Sequence, residues 1–338
     1  MSKTAPKAPT IADVARDAGV SVPTVSRVLT GAANVSDEKK RRVLRAIEYL
    51  NYRPSAAARA LVVGRPKLIA VVAGNTSQYG YAETIRGVEE SARGAGFSVT
   101  ITVVESADDA AVDRAVELVL AQPIAGIIVL KFDPPGVATL HRLPKDMPAV
   151  AISGIREAGV PQAVLNEAAA AKELVEYLLD LGHQTVHHVR VPPSRREDGR
   201  TTGWRRALTE RGIAAPAIFD ASWDPRSGRE IGREIALRDD VTAIFCGNDE
   251  IAMGVMRGLR DGGRSVPEDV SVVGFDDHPL AAMWSPALTT VKQDFAGLGS
   301  RAYAMLSGLF SGDKVRRFSS EMPTLVIRES AAPPARNR

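Results

Sequence analysis

From Lys67 onward, apolar runs of strand length alternate with amphipathic stretches of helix length. This alternation constrains the fold more than any other feature of the chain. LIAVVAG (68–74) precedes a helix over about 81–94, and FSVTITVV (97–104) precedes one over about 107–121; AGIIVL (125–130) and PAVAIS (148–153) complete one set. A second set opens with a helix over about 167–181. It continues with TVHHVRV (185–191), a helix over about 197–211, a short strand near 216–219 and a helix over about 227–238. TAIFCG (242–247), a helix over about 249–261 and VSVVGF (270–275) close it. Near-continuous apolar strands between helices predict a parallel sheet covered on both faces, and two such sets predict two lobes. LTTVKQDF (288–295), a helix over about 296–311 and a last strand near 322–328 are expected to cross back to the first lobe. AAPPARNR (331–338) reads as a disordered tail.

The segment ahead of the lobes has a different build. TIADVARDAGVSVPTVSRVL (10–29) predicts two short helices joined by a tight turn. Thr10 caps the first, with Asp13 three residues on, and Ile11, Val14, Ala15 and Ala18 fall at helical spacing. Gly19 suits a positive φ at the helix end. Ser21 is the expected cap of the second helix, with Pro23 in its first turn. Val25, Val28 and Leu29 are its expected inward face, which leaves Ser21, Thr24, Ser26 and Arg27 pointing elsewhere. A third helix follows in VSDEKKRRVLRAIEYLNYRP, with Ser36 as its cap and Val43, Leu44, Ile47 and Leu50 as its apolar stripe. Helices this short do not stand alone; the pattern is that of a helix-turn-helix presenting its second helix to DNA. SAAARALVVGR (55–65) reads as a linker that becomes helical only with help.

Charge supports that reading. Residues 1–65 hold 12 Lys and Arg against 5 Asp and Glu, while the rest of the chain holds 31 against 35. A basic head on a mildly acidic body is the footprint of a nucleic-acid-binding module attached to something else. A merely basic, solvated tail would lack the apolar periodicity. The lone cysteine, Cys246, excludes an intrachain disulfide framework. No apolar run approaches the roughly 18 residues needed to span a membrane, and no signal segment opens the sequence, so the expectation is a cytoplasmic protein without membrane partners. The five histidines, His141, His183, His187, His188 and His278, show no metal-ligand spacing. No nucleophile elbow, phosphate loop or HExxH motif appears, so neither an enzyme nor a cofactor is expected.

The residues together resemble the lactose-repressor/galactose-repressor (LacI/GalR) family of bacterial transcription regulators, over nearly the whole chain. TIADVARDAGVSVPTVSRVLTG is similar to the family's DNA-binding signature and LNYRPSAAARAL to its third-helix end and hinge. LGHQTVHHV, GRTTGW, AIFCGNDEIAMGVMRGLRDGG, VPEDVSVVGFDD and SPALTTVKQDFAGLG resemble segments of its regulatory core, in order and spacing. The resemblance implies an α/β protein: an all-α helix-turn-helix head over 1–54, a hinge over 55–65, and a two-lobed parallel-sheet core of periplasmic-binding-protein type over 66–330. Its first lobe is expected at about 66–165 plus 291–330 and its second at about 166–290.

The expected DNA-contacting set is Thr10, Ser21, Val22, Pro23, Thr24, Ser26, Arg27, Asn34, Tyr52, Ala58 and Leu61. Arg27 can grip guanine O6 and N7, or a phosphate; a plain surface arginine is the lesser alternative. The resemblance implies that the pair after Ser21 discriminates between operators. Here that pair is Val22 and Pro23, neither of which hydrogen-bonds a base, so readout falls to an apolar contact or to Thr24 and Arg27. The resemblance also implies a hinge leucine, here Leu61, wedging into the minor groove of a palindromic operator as part of a homodimer.

A cleft between two lobes, at the carboxyl ends of parallel strands, is where such a fold binds a ligand. Asn248 and Asp249 follow one strand, and Asp276 and Asp277 another; helix capping would explain each pair as well. The resemblance implies that Asn248 and Asp276 hydrogen-bond ligand hydroxyls, that Arg200 clamps the ligand and that Trp223 stacks on it. Gln293 and Phe295 lie on the crossover, and Asn75 and Tyr79 follow the first strand. A sugar effector suits this set. A purine or other metabolite acting as corepressor is the alternative, and a transport-type sugar-binding protein a more distant one.

Overall fold

The computed structural model describes residues 9–29, 35–52, 66–156, 159–194 and 196–335. The chain divides into two compact units, residues 1–67 and 68–338. Asn34, Ala58, Leu61 and the segment 55–65 lie outside the described residues.

In the first unit, α1 (Ile11–Ala18), α2 (Val22–Leu29) and α3 (Asp37–Tyr49) enclose a small core. Thr10 forms a capping box: its backbone N–H donates to Asp13 Oδ2 at 2.9 Å, and the Asp13 N–H reaches Thr10 Oγ1 at 3.4 Å. Gly19 ends α1 at φ 60°, the left-handed region that a residue with a Cβ adopts at a cost. Ser36 caps α3 through its backbone only; its side chain makes no cap hydrogen bond.

Val14, Ala15, Ala18, Val25, Val43, Ala46 and Tyr52 are buried. Leu29 and Leu44, expected inward, are exposed instead (37% and 50%). The inward stripe of α3 runs through Val43, Ala46, Ile47 and Leu50; Leu44, one residue on from Val43, turns about 100° off it. A core built from three short helices is filled by Val25 and Val28 of α2 before Leu29 can enter.

The second unit holds both lobes. The first is a six-stranded, all-parallel sheet in the order β11-β5-β4-β3-β1-β2, from β1 (Leu68–Ala73), β2 (Ser98–Val103), β3 (Gly126–Leu130), β4 (Ala149–Ser153), β5 (Gln162–Leu165) and β11 (Phe318–Glu321). Ile69, Val71 and Ala73 face α4 (Tyr79–Gly94) and α11 (Phe295–Ser311). Ala70 and Val72 face α5 (Asp109–Leu120) and α6 (Pro134–Arg142). Helices on both faces are why β1 is apolar at every position.

The second lobe is a four-stranded parallel sheet in the order β7-β6-β8-β9, from β6 (His187–Arg190), β7 (Phe219–Asp220), β8 (Ala243–Cys246) and β9 (Ser271–Val273). α7 (Glu167–Asp180) and α8 (Gly199–Glu210) cover one face around Trp204 and Phe245. α9 (Pro225–Ala236) and α10 (Asp249–Asp261) cover the other. The last two helices pack backbone to backbone. A Cβ on Gly258 would sit 2.1 Å from the Arg229 carbonyl oxygen, so only glycine fits there.

Four elements depart from expectation. α6, β5 and β11 were not foreseen: the first hides behind a Pro-Pro pair at its start, and the two strands are only four residues long. The end of the chain does not stay in the first lobe. α11 and β11 do, but β12 (Thr324–Val326) pairs antiparallel with β10 (Thr290–Lys292), which bridges to β9 at Val273↔Thr289. The lobes are therefore joined three times, at 165–167, 292–295 and 321–324. Nor are residues 331 and 332 a loose tail: the Ala332 N–H donates to Ser271 Oγ at 3.0 Å, and His183 Nε2 donates to the Ala332 carbonyl at 3.0 Å.

Candidate functional site

On the first unit, the exposed side of α2 carries Val22, Pro23 and Arg27, with Ser21 just before it. Thr24 and Ser26 are half-buried beside them. Ser21 Oγ lies 2.9 Å from Thr24 Oγ1, so the two hydroxyls form a local pair at the helix start. Thr10 is exposed at the start of α1, its hydroxyl donating to Asp13 Oδ2 at 2.7 Å. Tyr52, expected to reach DNA, is instead a core residue: it is 8% exposed and packs inside the three-helix cluster.

In the second unit, the strand C-terminal ends of both lobes face one cleft of about 690 Å³, counted with the solvent at its mouth. Eight of the ten strands supply residues at their ends: Gln78 to Tyr81 follow β1, Lys131 and Phe132 follow β3, and Gly154 follows β4. Glu167 follows β5, Pro192 to Ser194 follow β6, Trp223 follows β7, Asn248 follows β8, and Asp276 follows β9. Of the expected ligand residues, the cleft brings together Tyr79, Arg200, Trp223, Asn248, Asp276 and Phe295. Asn75 is elsewhere. Its Oδ1 accepts from Ser77 N (2.7 Å) and Gln78 N (2.9 Å), holding the turn into α4. Gln293 stands behind the lining, where its Nε2 donates to Asp276 Oδ1 at 2.8 Å.

The two polar pairs split by role. Asn248 caps α10, its Oδ1 accepting from Ile251 N at 2.9 Å, while its Nδ2 donates to Glu250 Oε2 at 3.2 Å. Asp249 turns inward, accepting from Thr290 Oγ1 at 2.5 Å and from His278 N at 2.6 Å. Asp277 accepts from Arg328 at 2.6 Å. Of the three aspartates, only Asp276 lines the cleft. It holds φ 112°, a region that costs a non-glycine residue roughly 1–3 kcal/mol and that clusters at functional sites.

Arg200, in the first turn of α8, ties this wall together. Its Nη2 lies 2.9 Å from Glu167 Oε1 and 3.2 Å from Asp276 Oδ1, and its Nη1 donates to the Gly247 carbonyl. Its guanidinium carbon stands 4.7 Å over the Phe275 ring. Burial pushes the Asp276 carboxyl up to about 7, against the downward pull of Arg200 and Gln293. Opposite, Tyr79 meets His278 edge-on at 4.8 Å and Phe295 at 5.9 Å, so aromatic groups of both lobes touch beside the cleft.

Sequence reasoning missed Glu167, Asp198 and Glu250. All three stand at or near helix starts after strands, the same signal that marked Asn248. The histidines are structural where they are buried. His188 donates from Nδ1 to the Phe245 carbonyl (3.0 Å) and accepts at Nε2 from Thr201 (3.1 Å), and burial lowers its pKa to about 4. Among the described residues, no group of three or more His, Cys, Asp or Glu could hold a metal ion, and no helix is long and apolar enough to cross a membrane.

A helix-turn-helix unit together with a two-lobed core closing on a polar, aromatic-lined cleft defines a ligand-responsive, DNA-binding regulator of transcription. The family described as "Bacterial regulatory proteins, lacI family" matches residues 10–55, and the "Periplasmic binding protein-like domain" matches residues 175–331. Catabolite control protein A of Priestia megaterium is 32% identical, over 93% of this chain and 96% of its own length. The crystal structure of the Lac repressor dimer bound to operator and the anti-inducer ONPF superposes with a TM-score of 0.89 at 30% identity, covering 96% of this chain and 100% of that one. A complex of the transcriptional regulator CelR with cellobiose gives a TM-score of 0.68 at 26% identity, covering 95% and 99%. The chain belongs to the lacI family of bacterial regulatory proteins.

Proposed function

We propose that the chain represses transcription as a homodimer on a palindromic operator, and that a sugar bound in the cleft changes its operator affinity. Arg27 and Thr24 read bases; Ser21, Ser26 and Thr10 hold phosphates; Val22 and Pro23 supply apolar contact in the major groove. Asn34, Ala58 and Leu61 belong to the same proposal but lie outside the described residues. In the cleft, Asn248 and Asp276 take hydroxyls, and Trp223, Tyr79 and Phe295 offer flat faces to a ring.

The observation that carries this reading is the cleft wall itself. Hydrogen-bonding groups from one lobe converge at strand ends opposite aromatic faces, the lining a polyol ring requires. A thermal-shift screen over sugars, with each hit retested in an operator gel shift, tests it. Trp223→Ala is the informative variant, because Trp223 is half-buried whereas Arg200 is a structural ion-pair partner. The expected result is a lost thermal shift with operator binding retained. A shift unchanged in Trp223→Ala refutes the stacking role, and a screen without any sugar hit refutes the effector class.

A further inference from the structure

Charge on the cleft wall is unbalanced. Glu167, Asp198, Glu250 and Asp276 face it, against Lys131 and Arg200. The Arg200 donors are directed at Glu167, Asp276 and the Gly247 carbonyl, so the guanidinium is committed to the protein. Asp198 accepts from the Thr201 N–H at 2.7 Å. Glu250 is different. Among the described residues it forms no ion pair, and its polar partner is the Asn248 amide at 3.2 Å. It is half-buried at the start of α10 and shares the lining with Trp223, Tyr79 and Phe132. Burial raises its pKa, opposed only by the nearby His278. A carboxylate beside aromatic faces is how proteins receive an organic cation: the charges pair, and the ring faces attract the positive group.

We infer that the effector carries a protonated amine, recognised by Glu250 with Trp223 and Tyr79 around it. Within the sugar reading, on which this rests for the rest of the ligand, the effector is an amino sugar. A neutral sugar would offer Glu250 hydroxyl hydrogen bonds but no opposite charge, and a phosphorylated one would bring a second negative charge against it.

The test is isothermal titration of the full chain. The probes are glucosamine, galactosamine and mannosamine, their N-acetyl forms, the corresponding hydroxyl sugars, glucose 6-phosphate and 1,4-diaminobutane. At least one amino sugar should bind tenfold or more tighter than both its N-acetyl and hydroxyl counterparts. Glu250→Gln should bring that ratio close to one. If that variant does not fold, a pH series on the unaltered chain decides: the preference must shrink once pH passes the amine's own pKa. Neutral sugars binding as well as their amines, or glucose 6-phosphate binding best, overturns the charge inference and leaves the sugar reading intact. Diaminobutane binding without any sugar keeps the charge inference and overturns the sugar reading. No binding by any probe overturns both.

Discussion

Replacing Arg200 with methionine tests the electrostatics of the cleft wall. The substitution keeps the bulk over Phe275 and removes the guanidinium that holds Glu167 and Asp276 at 2.9 and 3.2 Å. Two largely buried carboxylates would then face each other, with the Gly247 carbonyl unpaired. Breaking a buried ion pair from one side costs about 3–5 kcal/mol. Here pH modulates that cost. The Asp276 carboxyl sits at about 7 in the folded chain, against about 3.9 unfolded. The folded state therefore holds more protons in that window, and this residue's contribution to stability falls as pH rises from about 4 to 7. Without Arg200 the folded pKa moves higher still, so the decline continues above pH 7 by up to about 1.4 kcal/mol per pH unit. Arg200→Met should lose roughly 3 kcal/mol or more at pH 8.5 but only about 1–2 kcal/mol at pH 5.5, where the carboxyl is protonated in both proteins. Urea unfolding followed by tryptophan fluorescence reads this directly, because Trp204, Trp223 and Trp284 all lie in the second lobe. An equal loss at both pH values, or a loss under about 1 kcal/mol at pH 8.5, refutes the reasoning.

Two further outcomes follow from the geometry. Arg27→Ala should weaken binding to a selected operator by about 1–3 kcal/mol and spare random duplex; anisotropy titrations at one salt concentration separate these, and an equal loss on both means a phosphate contact only. Gly258→Ala should destabilise the second lobe by about 1–3 kcal/mol, because its Cβ would fall 2.1 Å from the Arg229 carbonyl oxygen and force α9 and α10 apart; urea midpoints compare the variant with the unaltered chain.

Periodicity made most of the fold legible, and the physics says where it stops. Buried parallel strands such as β1 and β3 are apolar throughout, so they announce themselves. β5 and β11, at four residues each, are too short to carry a pattern. The destination of β12 depends on long-range pairing with β10, which local sequence does not encode. In the head, Leu29 and Leu44 fit the helical period but not the volume of a core that three short helices can enclose.

The site was legible to the same degree. Position after a strand, together with the resemblance, pointed to Arg200, Asn248 and Asp276. It could not tell Asn75, spent on a turn, from Asn248, which caps α10 and still presents its amide to the cleft. Nor could it reveal that Glu167 occupies the Arg200 guanidinium, because that pair is 33 residues apart in sequence.

The central claim is that cleft occupancy and operator binding are coupled, and coupling of this kind is reciprocal. Its most direct test begins with selecting duplexes from a random pool and measuring anisotropy on the winner with and without a cleft ligand found by thermal shift. An inverted repeat should be enriched and bound with an affinity that changes at least about fivefold with ligand. Selection of no inverted repeat, or an affinity that ligand leaves unmoved while it still binds the cleft, would contradict it.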